Sequence, residues 1–309
     1  MNKKNVVIIS GATATGKSSF AIKFAQQING EIINADIGSF YKPMSIGVAK
    51  PKWQNESVPH HMFDIIDEPV LYSIAKFRKD LVSLLQDIWS RGKVPIITGG
   101  SVFYIQSFFY QQHEVVGTDV HIQNLESSSL DSKDLWNQLH KIDNQRAKVI
   151  DPQDRYRVIR ALAIFHATGK KPSEFKPIFN PLSDYYFIIC DRDRDELYQR
   201  IDRRVIEMID EGWLDEVKKL QGSSWEQFLL RKKMIGYDDL LLMLQDKKSL
   251  SKTIAIIQKK TRNYAKRQIT FLKKMHNDLL IKGSDNLVTL ITPDDNSLQH
   301  TVQQYLLKK

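Results

Sequence analysis

Short apolar runs alternate along this chain with longer stretches whose apolar residues recur every three or four positions, and that alternation predicts an α/β protein. Asn5 to Ser10 (NVVIIS), Glu31 to Asn34 (EIIN), Val94 to Thr98 (VPIIT) and Tyr185 to Cys190 (YYFIIC) are runs of the strand type. Rich in β-branched residues and lacking alternation, they read as parallel strands buried on both faces. After the first run, Phe20, Ile22, Phe24, Ala25 and Ile28 predict a helix from near Lys17 to the stop at Asn29-Gly30. Between Ser73 and Trp89 the positions Ile74, Phe77, Leu81, Leu84, Leu85 and Ile88 predict an amphipathic helix ended by Gly92. Leu197, Ile201, Val205, Met208 and Ile209 form the stripe of a further long helix, with Gly212 as its stop. Strand-to-helix junctions repeated in this way imply a doubly wound parallel sheet whose loops meet on one edge.

The stretch from 111 to 182 has no comparable strands, and Leu135 to Thr168 reads as mainly helical. We therefore expect a core from residues 1–110, an inserted helical lobe over 111–182, and completion of the core with a helical C-terminal part over 183–309. Inside the lobe Asp151 is placed to cap a helix, Pro152 fits its first turn, and Gly169 ends it. Two terminal elements are expected at Leu287 to Ile291 and Leu298 to Leu307.

Composition is that of a globular protein, 42% hydrophobic and 26% charged in 309 residues. The formal charge of +9 becomes informative through its placement, because no acidic residue lies between Asp246 and Asp278 while lysines and arginines recur throughout. Such a segment favours a polyanionic partner, nucleic acid first. Its period is helical, with Ile254, Ile257, Tyr264, Ile269 and Leu272 as the expected inner face. The single cysteine, Cys190, precludes an internal disulfide and suits a reducing compartment. No stretch reaches the roughly 20 apolar residues of a membrane span. Cytoplasmic location without a membrane partner is the expectation, and nothing demands more than a monomer.

The chemistry begins at Gly11. The run Gly11, Ala12, Thr13, Ala14, Thr15, Gly16, Lys17, Ser18 satisfies G-x-x-x-x-G-K-[ST], which arises by chance in a chain of this length about one time in a hundred. Backbone N–H groups in such a loop, together with the following helix N-terminus, form a nest for phosphate oxygens. Lys17 would neutralise a terminal phosphate and Ser18 would offer an oxygen to Mg2+. The loop alone leaves kinases, ATPases and other diphosphate users open. A hydrolase would add a strand ending in a metal-binding aspartate, whereas Val94 to Thr98 runs into Gly99-Gly100-Ser101. Asp36 and Asp191 are the aspartates that follow strong strands, and Asp36 stands next to the phosphate loop as a candidate base or metal ligand.

Taken together the motifs resemble the tRNA dimethylallyltransferases, or tRNA isopentenyltransferases, over most of the chain. The family's GPTASGKT-like loop is matched by Gly11 to Ser18, and its DSxxxY…IGTAKP stretch by Asp36, Tyr41, Ile46, Gly47, Ala49, Lys50 and Pro51. His60 and Asp64 in PHHMFDI, YSIAKFRKD from Tyr72, and TGGSVFY from Thr98 continue the match. Downstream DRYRVIRALAI, LYQRIDRRVIEMIDEGWLDEV, MIGYDDL from Met234 and, most specifically, TRNYAKRQITFLKK from Thr261 resemble family elements.

The resemblance implies transfer of a dimethylallyl group from dimethylallyl diphosphate to the exocyclic amine of the adenosine immediately 3′ of the anticodon, with release of pyrophosphate. The phosphate loop and Arg204 would then hold the donor's diphosphate, with Mg2+ sharing its charge. Asp36 would accept the amine's proton, and Ser101, in place of the family's threonine, would orient amine or diphosphate. The target adenine would be flipped out of its stack. The expected tRNA-facing set is Asp36, Ile37, Gly38, Ser39, Ser101, Gln123, Tyr156, Arg157, Arg160, Arg262, Lys266 and Arg267. His60 and His61, neighbours on a strand, point to opposite faces and read as packing residues.

The chain departs from the family pattern at Ile37-Gly38-Ser39, at Pro43, Ser45 and Val48, at His121 or Gln123, and at Ala163. These changes fall on the acceptor side and imply a divergent member with the donor side retained. An isopentenyltransferase acting on free adenine nucleotides, a P-loop nucleotide kinase and a tRNA-binding module without catalysis are the alternatives.

Overall fold

The computed structural model describes residues 4–111, 115, 117–246, 249–282 and 288–308. It divides into two compact units, one of Met1–Phe108 with Leu182–Lys309 and the other Phe109–Pro181.

In the first unit the apolar runs become β1 (Asn5–Gly11), β2 (Gly30–Asn34), β3 (His60–His61) and β4 (Val94–Gly99). Asp184–Cys190 forms the long strand after the lobe, and Val288–Ile291 the last one. Numbered in chain order these two are β7 and β8, because the lobe contributes its own short pair, β5 (Tyr110–Gln111) and β6 (Ile178–Phe179). The main sheet runs β3-β2-β4-β1-β7-β8 with every pairing parallel. β1 sits inside it, and Val6, Val7, Ile8 and Ile9 are fully buried. This is the doubly wound core that the β-branched runs predict. The expected strand start at Leu287 lies outside the described residues.

Helices α1 (Lys17–Ile28), α2 (Ile74–Ser90) and α3 (Val102–Phe109) follow strands or loops of the core. The capping residue of α2 is Ser73, whose hydroxyl accepts from Lys76 N at 3.1 Å. In the second unit stand α4 (Thr118–Glu126), α5 (Ser132–Ile142), α6 (Asn144–Ala147) and α7 (Arg155–Thr168), around Leu135, Leu139, Val158, Ile159 and Leu162. The first unit resumes with α8 (Arg194–Asp210), α9 (Trp213–Leu220), α10 (Ser224–Lys232), α11 (Tyr237–Asp246), α12 (Leu250–Ile281) and α13 (Asp295–Lys308).

Several expectations need correction. The cap of α7 is Asp154, whose carboxylate accepts from Arg157 N at 3.1 Å, and not Asp151. Asp151 instead closes a turn on Gln153 N at 2.8 Å, so Pro152 lies in that turn. Ile209 is only half-buried in α8, and Gly212 opens α9 in a left-handed conformation (φ 100°) as it ends the preceding helix. The buried stripe of α12 is Thr253, Ile257, Ala265, Gln268, Leu272, Met275 and Leu279. Ile254, Tyr264 and Ile269 stand beside it, because the helix turns a glutamine toward the phosphate loop.

Candidate active site

The carboxyl ends of β1, β2 and β4 deliver the phosphate loop, Asp36 and Gly99-Gly100-Ser101 to one edge of the sheet, where doubly wound folds bind ligands. Gly16 takes φ 95° and opens α1, and no side chain caps that helix end. Its first-turn N–H groups and helix dipole are thus available to an anion. Ala14 also sits at positive φ, 65°, an uncommon and costly conformation for a residue with a Cβ. The neighbours hold it there: Arg200 Nε donates to Ala14 O at 2.9 Å, and Arg204 reaches Thr13 Oγ1 at 3.4 Å. Arg192 donates to Thr15 O at 3.4 Å.

Lys17 is buried and lays its ammonium on Ala12 O at 3.3 Å. Burial lowers its pKa, the carboxylate of Asp36 opposes that, and the Arg204 guanidinium adds to it. Burial likewise lowers Arg204, against the pull of Asp36. Two cations held together in a desolvated place make a site that an anion would relieve. Arg204 lines the same pocket as Lys17, and Arg203, one residue earlier, takes the helix ion pair with Glu207 at 3.5 Å.

Asp36 is fixed by its backbone as well as its side chain. Asn34 accepts from Asp36 N at 2.9 Å and donates to Asp36 O at 3.1 Å and Met62 O at 3.0 Å. The carboxylate accepts from Gly38 N and from Gly100 N, both at 3.4 Å. Ser101 Oγ accepts from Ile37 N at 3.0 Å, so its hydroxyl ties the β4 junction to the turn after Asp36. Tyr264 points its hydroxyl at Ser101 and Gln268; burial and the charge of Asp36 raise its pKa well above the usual phenol value. Gly100 permits this crowding, since a Cβ there would stand 2.6 Å from Gln268 Nε2.

Two lobes of one cleft open from this point. A polar lobe of about 300 Å³ is lined by Lys17, Ser18, Asn34, Asp36, His60 and Arg204 among others. The buried Thr98 Oγ1, at its floor, has no hydrogen-bond partner among the described residues. An apolar lobe of about 430 Å³ is lined by Ile201, Met208, Trp213, Phe228, Met234 and Tyr264, with Lys233 and Arg267 also on its wall. Thr13, Ala14, Asp36, Val48 and Arg204 belong to both.

The remaining predicted residues divide. Ile37, Gly38 and Ser39 form the short 3₁₀ turn (Ile37–Phe40) capped by Asp36. Lys266 and Arg267 are exposed on α12, with the Arg267 guanidinium 5.8 Å from the Tyr264 ring centre. Arg262 differs from them in that it forms an ion pair with Asp202 of α8. Lys260, in the same segment, is held by Asp239 at 2.7 Å and Asp238 at 3.1 Å. In the lobe, Tyr156, Arg157 and Arg160 are exposed on α7 and Gln123 on α4. Arg157 pairs with Asp154 at 3.2 Å, and Arg160 lies 6.0 Å over the Tyr156 ring. Arg155 turns inward to Leu130 O at 2.6 Å. His61 binds Glu31 at 2.7 Å and His60 binds Val58 O at 2.6 Å, so the pair does not converge on a metal.

Sequence reasoning missed Gln268, which accepts from Thr13 N at 2.9 Å and donates to Gly100 O at 2.6 Å, joining the phosphate loop to the β4 junction. A polar residue one turn from Tyr264 on the same helical face was the available signal.

A phosphate loop on a parallel sheet, buried cations and an aspartate between a polar and an apolar lobe define a P-loop-type enzyme for a diphosphate-bearing substrate with an apolar part. The family model described as IPP transferase matches residues 39–275. A tRNA dimethylallyltransferase of Pseudothermotoga lettingae is 36% identical over 284 residues, 91% of this chain and 90% of that one. A solved eukaryotic dimethylallyltransferase acting on tRNA superposes with a TM-score of 0.80 at 32% identity, covering 98% of this chain and 77% of its own. The tRNA isopentenylpyrophosphate transferase of Bacillus halodurans gives a TM-score of 0.66 at 29% identity, over 99% and 97% of the two chains. The chain belongs to the IPP transferase family, the tRNA dimethylallyltransferases.

Proposed function

We propose that the protein transfers the dimethylallyl group of dimethylallyl diphosphate to N6 of the adenosine immediately 3′ of the anticodon in tRNA. The observation that carries this reading is the position of Asp36, shared by the polar and apolar lobes and facing the charges of Lys17 and Arg204. The diphosphate lies on the N–H groups at the start of α1, with Lys17 and Arg204 beside it. As the allylic C–O bond breaks, negative charge grows on the leaving pyrophosphate, where these donors and cations stabilise it. The N6–C bond forms as the amine's proton passes to the Asp36 carboxylate, a contribution of about 10²-fold to 10⁴-fold. Ser101 and Tyr264 fix the turn that presents Asp36.

The residues fit Mg2+ shared with the donor, because Ser18 lines the polar lobe beside Lys17 and Asp36. Mg2+ keeps several waters and binds phosphates; bound there by Ser18 and the diphosphate, it would stabilise leaving-group charge. Lys266 and Arg267 of α12 would hold tRNA phosphates, and within the lobe Tyr156, Arg157, Arg160 and Gln123 offer contacts of the same kind. No helix among the described residues is long and apolar enough to cross a membrane.

Mass spectrometry of nucleosides from the tRNA of cells with and without this chain tests the reading. Loss of N6-dimethylallyl adenosine or its derivatives is expected; unchanged modification, or ATP-dependent phosphoryl transfer by the pure protein, would refute it.

A further inference from the structure

Asp36 is held from a direction that the reaction does not use. The backbone N–H groups of Ser45, Ile46 and Gly47 converge on the carboxylate of Glu216 at 2.9, 2.8 and 3.2 Å. Three successive amides aimed at one carboxylate form an anion nest, here filled by the protein itself. The Tyr237 hydroxyl donates to the same carboxylate at 2.6 Å. Glu216 lies on α9 and Tyr237 on α11, so both grip the loop across at least 169 positions of sequence.

Trp213, three residues before Glu216, completes the grip. Its indole is buried, and it packs so closely on Gly47 and Gly236 that a Cβ on either would overlap the ring. The loop gripped in this way ends in Val48. The Val48 side chain lies against Gly38, where again a Cβ would overlap it, and lines both lobes of the cleft. Gly38 in turn donates its N–H to the Asp36 carboxylate. A continuous chain of contacts thus runs from Glu216 through the 45–47 amides, Val48 and Gly38 to Asp36.

We propose that Glu216 is a positioning residue for the reaction, setting the pose of Asp36 and the wall between the two lobes by fixing the loop 45–48. This rests on the reading of Asp36 as the group that takes the amine's proton. The phosphate loop is held by other residues, Gln268, Arg200 and Arg192, so Glu216 governs turnover and leaves diphosphate binding alone.

The test is Glu216→Gln in the full chain, with Tyr237→Phe beside it as the variant that keeps the carboxylate. For E216Q, kcat should fall by about tenfold to about a hundredfold, the scale of a misplaced catalytic group. Affinity for inorganic pyrophosphate measured by calorimetry should stay within about twofold, and amide hydrogen exchange at 45–47 and at Gly38 should accelerate while that of 13–18 does not. Tyr237→Phe should retain kcat within about threefold, since the amide nest survives. Unchanged exchange at Gly38, or a kcat equal to the parent's, would overturn the proposal. A parent that transfers no prenyl group would bring down the functional reading alone, because exchange at Gly38 still reports whether Glu216 holds the Asp36 turn. Should E216Q not fold, Glu216→Asp keeps the charge on a shorter arm and is expected to shift the same quantities in the same direction; no shift would overturn the proposal.

Discussion

Asp36, after β2, and Lys17, at the start of α1, reach the same point: a Cβ on Gly100 would lie 3.4 Å from Asp36 Oδ2 and 3.4 Å from Lys17 Nζ. The carboxylate and the cation of the phosphate loop are therefore neighbours across Gly100, where a Cβ would stand 2.6 Å from Gln268 Nε2 and push that side chain away. The relation makes chemical sense where a leaving group and an attacking amine meet.

Asp36→Ala should abolish transfer by about 10²-fold or more and leave tRNA affinity nearly unchanged. Single-turnover rates and filter binding on the same preparation check this. Turnover within about tenfold of the parent would show that another group takes the proton.

Gln268→Ala should loosen the phosphate loop, because Thr13 N and Gly100 O both lose their partner. We expect a stability loss of about 1–3 kcal/mol in denaturant titration and weaker donor binding by calorimetry. Unchanged donor affinity would mean that the loop keeps its shape without the staple.

Neutralising Lys266 and Arg267 together should weaken tRNA binding and lower the slope of log K against log salt by about one to two. Arg262→Ala should leave that slope as it is and act on stability instead, since Arg262 already pairs with Asp202. A slope change in Arg262→Ala alone would reverse the assignment.

Asp143 gives the lobe a pH dependence. Its buried carboxylate accepts from Ser173 N at 2.7 Å and Arg146 N at 3.0 Å. Burial would raise its pKa, but these N–H donors outweigh that and hold it below the usual carboxylate range. Its contribution is thus fully present above the unfolded value and is lost as pH falls through the folded one. Asp143→Ala should lower the stability of the lobe by about 1–3 kcal/mol at neutral pH. The difference from the parent should shrink below pH about 4. Thermal melts across that range measure it, and a constant difference would contradict the assignment.

The sheet was legible because buried parallel strands write themselves as β-branched runs, and Gly11 to Ser18 because a phosphate nest needs a fixed spacing of glycines. Asp36 and Arg204 followed from their places after β2 and on α8. What the pattern could not show depends on tertiary neighbours. Arg262 and Lys260 look like their exposed neighbours until Asp202, Asp238 and Asp239 are brought to them from other helices. Glu216 carries no signal in a helical period and Gln268 only its place one turn from Tyr264, since the partners that hold each come from a distant backbone. The cap of α7 went to Asp154 and not Asp151 because two aspartates three residues apart offer the same chemistry, and the turn over Pro152 decides between them.

Prenyl transfer is decided by incubating the pure protein with radiolabelled dimethylallyl diphosphate, Mg2+ and an anticodon stem-loop bearing adenosine 3′ of the anticodon, with no ATP present. Label on N6 of that adenosine, one pyrophosphate released per transfer, and loss of both in Asp36→Ala are expected. Label absent from the RNA while the parent protein binds donor and stem-loop, or a strict need for ATP, would contradict the proposed transfer.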